Sequence, residues 1–160
     1  MLAVAADGFH GAFSRHQELR TTSDPTRLFV PTAECAYWAA ALDEQLWEWS
    51  GYQDARVRSQ GGLLLPGLRY IRNLKTHGLP MTLRKIDGAI FPIVFPKVFN
   101  EVVWLPLEDL PEPGKLHRRT EEQRNTYREH LAGKPTRHTL QAVEAFLILL
   151  ANLPDSPLAI

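Results

Sequence analysis

Along the chain, apolar residues recur at three- and four-residue steps, give way to a β-branched and aromatic segment between residues 83 and 105, and then return to the helical period. The first helical stretch covers residues 6–20, with Phe9, Phe13 and Gln17 on one face and Ser14 and Arg15 on the other. A polar run from Thr21 to Pro25 breaks it, and Leu28-Phe29-Val30 reads as a short extended piece. Thr32, after Pro31, predicts the N-cap of a second helix over 33–49, with Glu34 in the positive field of its first turn. Its stripe is Cys35, Trp38, Ala39, Leu42, Leu46 and Trp49. Tyr37, Ala41 and Trp47 broaden that stripe, which predicts a central position in the fold, and Ser50-Gly51 ends the helix.

Gln60-Gly61-Gly62 reads as a flexible connection into a third helix over 63–77, and Pro66 restricts its start to Leu64 or Leu65. Leu64, Leu68, Ile71 and Leu74 form its buried stripe, and Gly78-Leu79-Pro80 stops it. The runs from Ala89 to Phe95 and from Val98 to Trp104 predict a small hairpin or irregular extended arm, held to a sheet edge by Pro92 and Pro96. A proline-rich loop follows over 106–114. Thr120-Glu121-Glu122-Gln123 has the pattern of a capping box for a helix that stops at Gly133. Pro135-Thr136 opens a last helix to Asn152, with Leu140, Val143, Phe146, Leu147 and Leu150 on its stripe. The expected fold is mostly α: about five helices in a bundle with a short two-strand β insertion near 88–105. It is expected as one domain over 1–160, helical over 1–80, extended over 83–110 and helical again over 120–152.

A chain of 160 residues with 44% apolar content can bury a core without disulfides or metals. Cys35 is the single cysteine, which excludes an intramolecular disulfide, a Cys-rich zinc site and a CxxC redox motif. Eighteen basic residues balance eighteen acidic ones, so a nucleic-acid site would have to come from local clustering. The start MLAVAADGFHG lacks a basic n-region, and the longest apolar run, Ala145 to Ala151, is too short to span a bilayer. The expectation is a cytoplasmic protein with no membrane partner. The histidines at 10, 16, 77, 117, 130 and 138 have no HxxxH or HExxH spacing, and no GxGxxG, P-loop or GxSxG pattern occurs. No cofactor or metal is expected. Asp43 and Glu44, being neighbours on a helix, point in different directions and do not make a carboxylate dyad.

One segment carries candidate chemistry: Arg72-Asn73-Leu74-Lys75-Thr76-His77. At about 100° per residue, Arg69, Arg72, Asn73, Thr76 and His77 share the side of the helix opposite its leucine stripe. Arg84 and Lys85 follow after a short connection, giving a basic cluster on a neutral chain. An Arg, a polar residue directly after it, three more residues and a His resembles the HEPN superfamily, helical-bundle domains common among bacterial toxins and defence proteins. The resemblance covers this motif and the helical size of the chain.

The resemblance implies a metal-independent ribonuclease acting as a homodimer with a composite site, with a neutralising protein partner if the protein is a toxin. Arg72 would bind the scissile phosphate and His77 would act as general base or acid, with Asn73 orienting the histidine or a phosphate oxygen. Arg69, Lys75, Arg84 and Lys85 would attract the RNA backbone. A looser match, from Arg124 to His130, ranks lower because Glu121, Glu122 and Glu129 surround it. Against the ribonuclease stand three other readings. The first is a solvated helix face on which Arg72 pairs with Asp or Glu. The second is a non-enzymatic interaction or oligomerisation module using helix 63–77 and the arm 89–105. The third is a nucleic-acid binder that cuts nothing.

Overall fold

The computed structural model describes residues 1–19, 24–76, 83–86, 101–111 and 118–159. Within them the chain forms six α-helices and a two-stranded antiparallel sheet. Helix α1 spans Leu2–Leu19 and buries Ala5, Phe9, Ala12 and His16. Helix α2 spans Pro25–Gln45 and begins about two turns earlier than its sequence suggests. Asp24 is the N-cap: its Oδ1 accepts the Thr26 amide at 2.9 Å, and Pro25 takes the first helical position.

Thr32 is therefore not a cap but an interior residue, fully buried, whose hydroxyl donates to the Leu28 carbonyl at 2.7 Å. Leu28 is helical rather than extended. Pro31 is accommodated inside α2, although it withholds one helical amide. The gain from extending the helix is burial: Leu28 and Thr32 continue the inward stripe of Cys35, Ala39, Leu42 and Leu46. Tyr37 and Trp47 do not broaden that stripe; each is about half in solvent.

After α2 a series of turns leads to a short helix, α3, Tyr52–Arg58, which makes the count six rather than five. Helix α4 spans Gln60–Thr76 and includes the two glycines that read as a linker, with Pro66 inside the helix rather than in its first turn. The glycines are there for clearance. A Cβ on Gly61 would lie 2.1 Å from the Ala142 carbonyl oxygen, and one on Gly62 would lie 2.3 Å from that of Arg56. Gly61→Ala should therefore destabilise by about 2 kcal/mol despite alanine's higher helix propensity, because neighbouring backbone must move. Gly11→Ala on α1, where the nearest neighbour is 3.7 Å away, should be neutral or stabilising. Paired thermal melts of the two variants check this.

Strand β1, Leu83–Ile86, pairs antiparallel with β2, Glu101–Trp104, in the register Leu83↔Trp104 and Ile86↔Glu101. The expected β insertion thus exists, but β2 pairs with 83–86; the segment 87–100 lies outside the described residues. The free edge of β2 is met by the 133–135 turn: Gly133 donates to the Trp104 carbonyl at 3.0 Å, and Trp104 donates to that of Lys134 at 3.1 Å. The turn needs Gly133 at φ +71°. Helix α5, Arg118–His130, starts before the predicted capping box, so Thr120 lies within its first turn. Helix α6, Thr136–Ala151, buries the whole predicted stripe. Helix α4 packs against α2, α3, α5 and α6 and is the centre of the core, which Trp104, Phe146 and Tyr127 also fill. Among the described residues, no helix is long and apolar enough to cross a membrane.

One polar contact ties α1 to this core. Thr136 donates its hydroxyl to the Val102 carbonyl at 3.2 Å, so the contact of 3.1 Å between His16 Nε2 and Thr136 Oγ1 has the imidazole as donor. Burial lowers the His16 pKa from 6.5 to about 4. The unfolded chain therefore binds this proton more readily. The stabilising contribution is complete above pH 6.5 and is lost as pH falls from there toward 4. Urea unfolding at pH 7 and pH 5 should show a loss of about 2 kcal/mol that His16→Gln removes.

Candidate functional site

Consecutive residues of α2, Asp43 and Glu44, meet two arginines of α4 set one turn apart. Because neighbours on a helix diverge, Asp43 faces the interior with its side chain 1% exposed, and Glu44 sits at the rim with 47% exposed. Arg69 donates Nη2 to Asp43 Oδ2. The other carboxylate oxygen accepts from the Tyr52 hydroxyl at 2.5 Å and lies 3.2 Å from Arg56 Nε. Three side chains from two helices thus converge on one buried carboxylate. Burial, followed by the field of Asp43, pushes the Tyr52 phenol far above its ordinary range, so it stays a donor. The Arg56 guanidinium also lies over the Trp47 ring, 5.6 Å from its centroid. A cleft of about 70 Å³ opens beside the cluster, with Trp47, Glu122 and Gln123 on its walls.

The outer layer of the site is polar and partly solvated. Arg72 donates Nη2 to Glu44 Oε1 at 2.5 Å, and Arg69 Nε reaches the same oxygen at 3.8 Å, linking rim to interior. Asn73 donates its amide to Gln123 Oε1 of α5 at 3.2 Å. Arg72 and Asn73 therefore diverge near the C-terminal end of α4, one anchored to α2 and the other to α5. Arg72 keeps 24% of its side chain exposed.

The motif residues are placed as follows. Arg72 and Asn73 lie near the C-terminal end of α4, paired with Glu44 of α2 and Gln123 of α5 respectively. His77 lies outside the described residues, as does the Lys75 side chain. Arg69 corrects the picture of a continuous solvated face: it is 6% exposed and its charge is directed at Asp43. Arg84 and Lys85 lie on β1, with Arg84 Nη1 3.8 Å from Asp109 Oδ2. Cys35 is buried on α2, and burial, with the nearby Glu34, pushes its thiol up to about 12, which leaves it a small core residue.

The Asp43 cluster is the part sequence reasoning missed. Its signal was present: Asp43 continues the stripe of Ala39, Leu42 and Leu46, and a carboxylate on a buried stripe requires a cation from another element. Comparison with protein-family models, with curated proteins and with solved structures finds no match to this chain.

Proposed function

We propose that the protein is a metal-independent endoribonuclease of toxin or defence type, working as a homodimer, with Arg72, Asn73 and His77 at its site. The observation that carries this reading is the placement of Arg72 and Asn73 as partly solvated donors at consecutive positions near the end of the central helix, one held by Glu44 and the other by Gln123. His77 stands four positions after Asn73 in the sequence. The interior cluster around Asp43 fixes α2, α3 and α4 against one another, so the donors are set on a rigid base.

In the proposed reaction, His77 takes the proton of a 2′-hydroxyl, and the resulting alkoxide attacks the adjacent phosphorus. Arg72 neutralises the charge that builds on the non-bridging oxygens, and Asn73 holds one of them or orients the imidazole. The P–O5′ bond breaks and the leaving oxygen takes up a proton, giving a 2′,3′-cyclic phosphate and a 5′-hydroxyl. Glu44 acts as a positioning residue. Its exposed ion pair with Arg72 contributes at most about 1 kcal/mol, so a phosphate can displace it. Lys75, Arg84 and Lys85 supply backbone attraction; Arg69, committed to Asp43, is withdrawn from that set.

The test is an oligoribonucleotide beside the same strand carrying 2′-deoxyribose at the cleaved position. Cleavage confined to the first, with cyclic phosphate ends, supports the reading. Equal cleavage of both contradicts a 2′-hydroxyl nucleophile.

A second reading is the non-enzymatic interaction module. It draws on the fact that Arg72 and Asn73 already have partners within the chain, and on the exposed aromatic rings of Tyr37 and Trp47. It predicts salt-insensitive self-association without any cleavage.

A further inference from the structure

The arginines of the core and rim, Arg56, Arg69 and Arg72, all have carboxylate partners, as do Arg84 and Arg137. Arg124 and Arg128 of α5 have none within 4.0 Å among the described residues. Four residues apart, they project from one face of the helix and line the same groove, a cavity of about 440 Å³ between α5 and the segment 106–108. Pro106, Leu107 and Ala132 supply its apolar walls, and Glu108 is the one acidic side chain on its lining.

Acidic neighbours in sequence argued against an anion here, but the fold directs two of them elsewhere. Glu122 lines the small cleft beside Asp43, and the Glu129 carboxylate lies 3.9 Å from His130 Nε2. One guanidinium is also held in place: Arg128 donates to Asn125 Oδ1 at 2.6 Å, leaving further N–H donors on its fork. The Arg124 charge acts on the buried Tyr70 phenol, opposing the rise in its pKa that burial causes.

We propose that this groove binds a small phosphomonoester, its phosphate gripped by Arg124 and Arg128 and its organic body against Pro106 and Leu107. Two planar forks one helical turn apart match the several oxygens of a phosphate, and two positive charges against one Glu108 leave a net attraction for an anion. The volume is that of a small-molecule site. The lining of the pocket includes neither Arg72 and Asn73 nor their partners Glu44 and Gln123, and the inference does not depend on the ribonuclease reading.

The test is calorimetric titration of the full chain at low salt with orthophosphate, adenosine 5′-monophosphate and adenosine. Binding of the monophosphate, weaker binding of phosphate and none of adenosine are expected in the wild type. Arg128→Gln, at an exposed position, should weaken binding about tenfold or more, and Arg58→Gln should not change it. Arg124→Gln should act like Arg128→Gln, and if it fails to fold, the Arg128 variant decides alone. Absence of binding in the wild type overturns the proposal. So does equal binding in the Arg128 and Arg58 variants, or adenosine binding as well as its monophosphate.

Discussion

Asp43→Ala is expected to destabilise the protein by about 3–5 kcal/mol, the usual result of stripping one partner from a buried ionic cluster. For a chain of this size that is a fall in Tm on the order of 10 °C. The loss is large because the substitution leaves three groups stranded at once: the buried Arg69, Arg56, and the Tyr52 hydroxyl. Each gave up water to meet that carboxylate, and an uncompensated guanidinium in the interior cannot shed its charge. Glu44→Ala removes the adjacent carboxylate but should cost under about 1 kcal/mol, since Glu44 is half in solvent and Arg72 can turn to water. Urea unfolding of the two variants side by side checks the contrast. A loss for Asp43→Ala no larger than that for Glu44→Ala would mean the interior cluster does not hold α2, α3 and α4 together.

Residues with a regular apolar period were legible before any coordinates. Leu64, Leu68, Ile71 and Leu74 on α4, and Leu140, Val143, Phe146, Leu147 and Leu150 on α6, are buried as their spacing requires. Where local rules and long-range burial conflict, burial prevails. Pro31 and Pro66 each break a local helix rule, yet both lie inside helices, because continuing the helix places Leu28, Leu64 and Leu65 in the core. Gly61 and Gly62 carry no local sign that a carbonyl oxygen of another segment crosses their backbone. Helix α3 offered no stripe to read, since Tyr52 is its single buried residue.

The same division applies to the site. Arg72 and Asn73 were visible as a short motif because they are adjacent in sequence. The pairing of Asp43 with Arg69 spans 26 residues and depends on how α2 crosses α4, which no local pattern encodes. Arg69 shares the angular position of Arg72 on a helical wheel, but α2 covers that part of α4 and turns one arginine into a core residue while leaving the next at the rim.

His77→Ala is expected to reduce RNA cleavage by about 10²–10⁴-fold, the range for loss of a general acid or base, without loss of folding. An imidazole suits this role because it exchanges a proton near neutral pH, whereas an arginine such as Arg72 stays charged and can only stabilise. The most direct measurement is cleavage of total RNA in EDTA by wild type and by His77→Ala, at matched concentration and purity. The account predicts cleavage by the wild type that is lost in the variant. Equal cleavage by both proteins, or none by well-folded wild type, would contradict it.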